Sequence, residues 1–120
     1  MTEMTTYFHV APMTYTEGED LLSWDRYIER FGEAPTAWKW EDAEDRYDGH
    51  MVCLWQADQL DDAREFVESY MDGQAKIVTV TVDDEWAREL GLRRNDEGYM
   101  AAMYGRIPSD VITRVETVGV

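Results

Sequence analysis

Three observations predict an α+β fold. The stretch 57–71 places Ala57, Leu60, Ala63, Phe66, Val67, Tyr70 and Met71 at spacings of three and four, the apolar stripe of an amphipathic helix. Short apolar or β-branched runs flank it, VCLWQ before and AKIVTVTV after, and these have the length and composition of strands. The last third of the chain is divided by short polar turns, which suit antiparallel neighbours better than long crossovers. Separated strands with two or three short helices make a single compact domain over 1–120, mainly antiparallel, with the helix packed on the strands around it.

In chain order, residues 7–11 (YFHVA) form the first strand, stopped by Pro12, which cannot continue a ladder in mid-sheet. Glu17, Gly18, Glu19 and Asp20 then make a turn and helix start. Leu21, Leu22, Trp24, Tyr27, Ile28 and Phe31 follow at helical spacing, ended by Gly32 and Pro35. Residues 32–49 read as a loop holding Trp38 and Trp40 among many carboxylates; two tryptophans there can line a pocket or anchor the loop. The run from His50 to Gln56 is the next strand. Asp58, Asp61 and Asp62 crowd the first turn of the long helix, where the positive end of its dipole favours carboxylates. Gly73 lies where a left-handed cap is cheapest for glycine. The clearest strand, 75–82, leads into a short helix, DDEWAREL, closed by Gly91. Residues 93–98 make a polar turn and 99–107 a strand interrupted by Gly105, a bend or bulge. Pro108, Ser109 and Asp110 turn the chain into a last strand, VITRVETV.

Charge narrows the partners. Against 11 Lys and Arg stand 26 Asp and Glu, a net charge of -15, so nucleic-acid phosphates and anionic membranes are repelled and direct nucleic-acid binding is not expected. A basic protein partner suits such a surface, and so does plain solvation. Cys53, the only cysteine, excludes an intrachain disulfide and sits in an apolar run where a buried, inert thiol is expected. The opening MTEMTTYFHV has no basic region followed by an apolar run, and no stretch approaches the ~18 apolar residues of a membrane span. A cytoplasmic location and no membrane contact are therefore expected.

Most catalytic signatures are absent. There is no GxGxxG, no GxxxxGK[ST] and no HExxH, and His9 with His50 are too few for a histidine-rich metal site, so no metal is expected. The 41–45 cluster EDAED lacks the glycine and spacing of a calcium loop. His9, inside the first strand, reads most simply as a core or edge histidine with one satisfied nitrogen. Arg93, Arg94 and Arg106 can meet a pyrophosphate or pair with the carboxylates around them.

The order YFHVAP, TEGEDLLSWD, VCLWQ, ADQLDDAREF, IVTVTVDD and EGYMAAMYGRIPSDVI resembles small single-domain members of the ADP-ribosyltransferase-like superfamily. The likeness lies in the Tyr-His-Val type of first strand, the strand–helix unit and the late strand running into an Arg-Ile-Pro turn. It implies that fold, with NAD as the substrate. His9 would then hold the ribose, Arg106 would contribute to nucleotide binding, and a late carboxylate would polarise the ribose hydroxyl beside an oxocarbenium-like transition state. The middle-strand position of the superfamily falls near Cys53, where its usual tyrosine is missing. No carboxylate stands at 100–103, and on this resemblance Glu97, just before that strand, would be the catalytic carboxylate. Two functions follow. One is an NAD-binding domain that transfers ADP-ribose to a macromolecule. The other is a non-enzymatic module whose acidic face, including the Trp38–Trp40 loop, occludes a basic surface on a partner protein, as an inhibitor does.

Overall fold

The computed structural model describes residues 3–11, 13, 15–23, 26, 29–30, 51–70, 73–94 and 100–119. Its centre is a six-stranded antiparallel sheet. In chain order the strands are β1 (Thr5–Ala11), β2 (Leu21–Leu22), β3 (Val52–Gln56), β4 (Ala75–Val82), β5 (Leu92–Arg94), β6 (Met100–Ala102), β7 (Arg106–Ile107) and β8 (Ile112–Val118). The spatial order is β5-β6-β3-β1-β4-β8, and β2 with β7 forms a separate two-stranded ribbon. The helices whose bounds fall among the described residues are α1 (Leu60–Tyr70), entered through a 3-10 turn at Ala57–Gln59, and α2 (Asp84–Glu89). The α+β class is therefore as expected, and no described helix is long and apolar enough to cross a membrane.

Strand alternation divides the core into two layers. One face carries Val10, Ala75 and Val118 and is covered by α1 through Ala63 and Val67, both fully buried. Trp55 and Phe66 close this layer, their rings tilted at 59° with centroids 5.8 Å apart. The other face carries Ala11, Val52, Leu54, Val78, Val80 and Val82, and it holds the larger cluster. Tyr15, Leu21 and Ile107, from outside the main sheet, are buried in it. The helix thus covers the smaller layer, and the ribbon contributes to the larger.

Local signals place several elements as expected. β4 occupies the predicted strand, and β1 contains the predicted 7–11. Asp83 caps α2, its carboxylate accepting from the Trp86 N–H at 2.8 Å. Gly73 and Gly91 both take positive φ, as helix-ending glycines do. At Gly91 the reason is also steric, since a Cβ there would lie 3.1 Å from the Tyr104 ring.

Four expectations need correction. Leu21 and Leu22 are not helical: they pair with Ile107 and Arg106 as the ribbon, because burying Leu21 against the sheet outweighs local helical spacing. Further on, the described residues Arg26, Glu29 and Arg30 are helical; Trp24, Tyr27, Ile28, Phe31 and the stops Gly32 and Pro35 lie outside the described residues, as do Pro12 and His50. Arg93 and Arg94 are strand rather than turn, pairing with Ala101 and Met100, and their exposed side chains hide the pairing from any apolar alternation. The single strand expected at 99–107 is two strands in two sheets: Met103 and Tyr104 turn, and Gly105, at φ 76, swings the chain from β6 to β7. Finally, Cys53 is partly exposed rather than buried. Residues 32–49, with Trp38 and Trp40, lie outside the described residues.

Candidate functional site

His9 sits on β1, near the middle of the main sheet, opposite Val78 of β4. Its face is that of Tyr7 and Ala11, the side of the larger core. On the other flank the β1–β3 register runs through Tyr7↔Gln56 and Phe8↔Trp55 and then stops. Where it stops, the His9 ring takes over, Nδ1 lying 2.9 Å from the Cys53 carbonyl oxygen. Enclosure by protein pushes the imidazole below its usual pKa, with the Cys53 hydrogen bond partly opposing the shift. The ring is therefore neutral at pH 7. A carbonyl can only accept, so Nδ1 carries the proton and Nε2 is left as an acceptor.

Arg106 stands on β7, in the ribbon, and its head group is committed. Nε and a terminal nitrogen both reach Asp20 Oδ2 at 2.7 Å. The second oxygen of Asp20 accepts from the Ser109 N–H at 2.9 Å. Burial alone would raise the Asp20 pKa, but the Ser109 N–H and the Arg106 guanidinium, helped by Arg30, hold it below the usual carboxylate range. The same clasp is extended by backbone, with Ser23 N–H donating to Gly105 O at 2.8 Å, and by Arg26 Nε donating to Tyr104 O at 3.0 Å. Ser23 is buried, and its hydroxyl accepts from the Arg26 N–H three residues on, the geometry of an N-cap. Asp20, Ser109 and Ser23 are thus structural partners that no sequence pattern marked; Asp20 lay in a predicted turn with nothing to indicate an arginine far along the chain.

Tyr15 completes this region. Its hydroxyl donates to Glu19 O at 2.7 Å, and the Lys76 ammonium donates to the Tyr15 carbonyl. Burial, then the carboxylates of Glu19, Asp20 and Glu17, push the phenol pKa up, so the donor proton stays in place.

Of the residues expected to handle a nucleotide, His9 and Arg106 are on different sheets, one in the main sheet and one in the ribbon. Glu97 lies outside the described residues. His9 keeps an acceptor, Nε2, on a ring whose orientation the Cys53 carbonyl fixes and which protein encloses. Arg106 gives Nε and one terminal nitrogen to Asp20, so a phosphate would compete with that carboxylate for its guanidinium. Arg94 is similarly engaged: the Gln56 carboxamide oxygen, assigned by its hydrogen-bond partners, accepts from both terminal nitrogens at 2.7 and 2.9 Å. As placed, Arg106 and Arg94 are thus both held by side chains of this chain, Asp20 and Gln56. Among the described residues, no three His, Cys, Asp or Glu side chains gather as metal ligands.

A different surface is open. The outer side of α1 and its 3-10 lead-in presents Asp58, Asp61, Asp62, Glu65 and Glu68, all exposed. The one cation among residues 57–70 is Arg64, paired with Glu116 of β8 at 3.6 Å. No family model, curated protein or solved structure matches this chain.

Proposed function

We propose that this protein is a non-enzymatic interaction module that uses the acidic outer side of α1 to cover a basic surface of a partner protein. The observation that carries this reading is the concentration of Asp58, Asp61, Asp62, Glu65 and Glu68 on one rigid, solvent-facing element. Its inner stripe is fully committed to the core through Ala63 and Val67. A helix fixed in this way presents its carboxylates at set spacings, and a surface of one sign speeds encounter with an oppositely charged partner. Asp61 and Asp62 also serve the helix dipole, whereas Glu65 and Glu68 lie further along, where carboxylates do not help the helix. Those two are the informative positions.

The test is calorimetric titration with a dodecapeptide of alternating Lys and Ala at low salt. Saturable binding is expected, weakened at least about tenfold in the double variant Glu65→Lys, Glu68→Lys and similarly by physiological salt. Binding that is indifferent to both changes contradicts the reading.

A nucleotide-binding reading rests on His9 alone, whose Nε2 is oriented as an acceptor for a ribose hydroxyl. It has a phosphate compete with Asp20 for the Arg106 guanidinium. Saturable NAD binding that disappears in His9→Ala would favour it, and transfer of ADP-ribose with Glu97 as the catalytic carboxylate would then be the activity to assay, using Glu97→Gln as the control.

A further inference from the structure

Among the described residues β5 and β8 are the two edges of the main sheet, and they differ in how they meet other strands. β5 is three residues long and carries Arg93 and Arg94, so a second copy of that edge meets like charge. The β8 edge is seven residues long, ITRVETV, with no proline and no lysine along it. An edge of this kind offers a row of backbone donors and acceptors to another strand unless something blocks it.

We infer that β8 is a homodimerisation edge: two copies pair antiparallel through residues 113–117, with Val115 on the twofold axis. The motive is a palindrome of chemistry. In that register Val115 meets Val115 of the second copy, Arg114 meets Glu116, and Thr113 meets Thr117. Charges that merely protect an edge repel or mismatch a second copy; these two are opposite in sign and symmetric about Val115, so each copy supplies both halves of the pair.

The faces agree as well. Glu116 pairs with Ile77 and Arg114 with Thr79 in the β4–β8 ladder, which places both charges on the α1 side of the sheet. Glu116 also reaches Arg64 of α1 at 3.6 Å, which fixes its side. A twofold axis perpendicular to the sheet keeps that side continuous across the junction, so each Glu116 lies between Arg64 of its own chain and Arg114 of the other. Arg114 is exposed and has no ion-pair partner among the described residues. Val115 lies on the opposite face, partly buried against the larger core. The junction ends at Thr113, which the register shift between Thr79↔Arg114 and Val80↔Ile112 leaves without a partner on β4, so that the strand turns there.

A five-residue edge junction belongs to the weak, transient class of interfaces. Each copy also carries a net charge of -15, so long-range repulsion opposes the pairing and salt relieves it. This salt response is opposite in sign to that of a basic partner on α1, so either idea can fail without the other.

The experiment is sedimentation equilibrium of the full chain up to about 1 mM protein. A monomer–dimer equilibrium is expected, tightening between low and moderate salt. Arg114→Glu and Glu116→Arg are each expected to be monomeric, because each places like charges opposite one another. An equimolar mixture of the two variants is expected to regain the dimer, since every cross-strand charge pair is then opposite in sign. Circular dichroism of each variant checks that the fold is retained. A wild type that stays monomeric throughout, single variants that dimerise as well as wild type, or a mixture that remains monomeric would each overturn the proposal.

Discussion

The two faces of the main sheet are covered by different means. On one, α1 buries Ala63 and Val67 against Val10 and Ala75, and all of these positions belong to elements announced by local periodicity. On the other, Leu21 and Ile107 of the ribbon are buried in the larger cluster, and the pairing that brings them there joins Leu21 to Ile107, far along the chain. The helix side is stabilised by a stripe contained within one short stretch of the sequence. The ribbon side depends on one long-range clasp, Asp20 with Arg106 and Ser109. Local order and long-range order thus support opposite faces, and they should respond differently to substitution.

The largest contrast should come from the cores themselves. Ile107→Ala removes a fully buried side chain from the larger cluster and is expected to cost about 2–5 kcal/mol in urea unfolding. Val67→Ala, beneath α1, removes less volume and should cost about 2 kcal/mol. If the helix-side variant proves the more damaging, the larger cluster is not the main source of stability.

His9 links stability to pH between these extremes. Its folded pKa lies below the unfolded value of 6.5, so the unfolded chain binds the proton more readily. Stability should be level above pH 6.5 and fall as pH drops below it towards the folded pKa, at a slope of at most about 1.4 kcal/mol per pH unit. His9→Gln should remove that component of the slope. A slope that persists in the variant would place its origin elsewhere.

The clasp should contribute less, because Arg106 is half exposed. Asp20→Asn keeps an oxygen for the Ser109 N–H but loses the charge facing Arg106, and about 1 kcal/mol is expected. The Asp20 pKa is depressed, so its contribution is complete above the unfolded value of 3.8 and is lost as pH falls through the folded pKa. Acid unfolding of Asp20→Asn should therefore lack that step. Smallest of all is Glu65→Lys with Glu68→Lys on the outer side of α1, which should leave the thermal midpoint nearly unchanged, within about 0.5 kcal/mol.

Much of the helix-side architecture was legible because its signals are local. The apolar stripe of α1, the carboxylates of its first turn, the alternation of β4 and the glycine at 73 each report their own neighbourhood. His9 as a strand histidine with one satisfied nitrogen was legible in kind, although the Cys53 carbonyl that satisfies it was not. The ribbon was illegible for a physical reason: Leu21–Leu22 carries helical spacing, and only its partner near Ile107 makes it a strand. β5 was hidden in another way, since Arg93 and Arg94 pair through backbone while their side chains face water. Arg106 was expected to meet either a phosphate or a carboxylate; in the fold it meets Asp20.

The most direct test of α1 as the working surface is an amide-resolved NMR titration of the ¹⁵N-labelled protein with the Lys-Ala dodecapeptide. The predicted result is saturable shift changes confined to residues 58–69 and their immediate neighbours, with His9, Cys53 and Arg106 unmoved. Changes centred on β1 and the ribbon, or none at millimolar peptide, would contradict it.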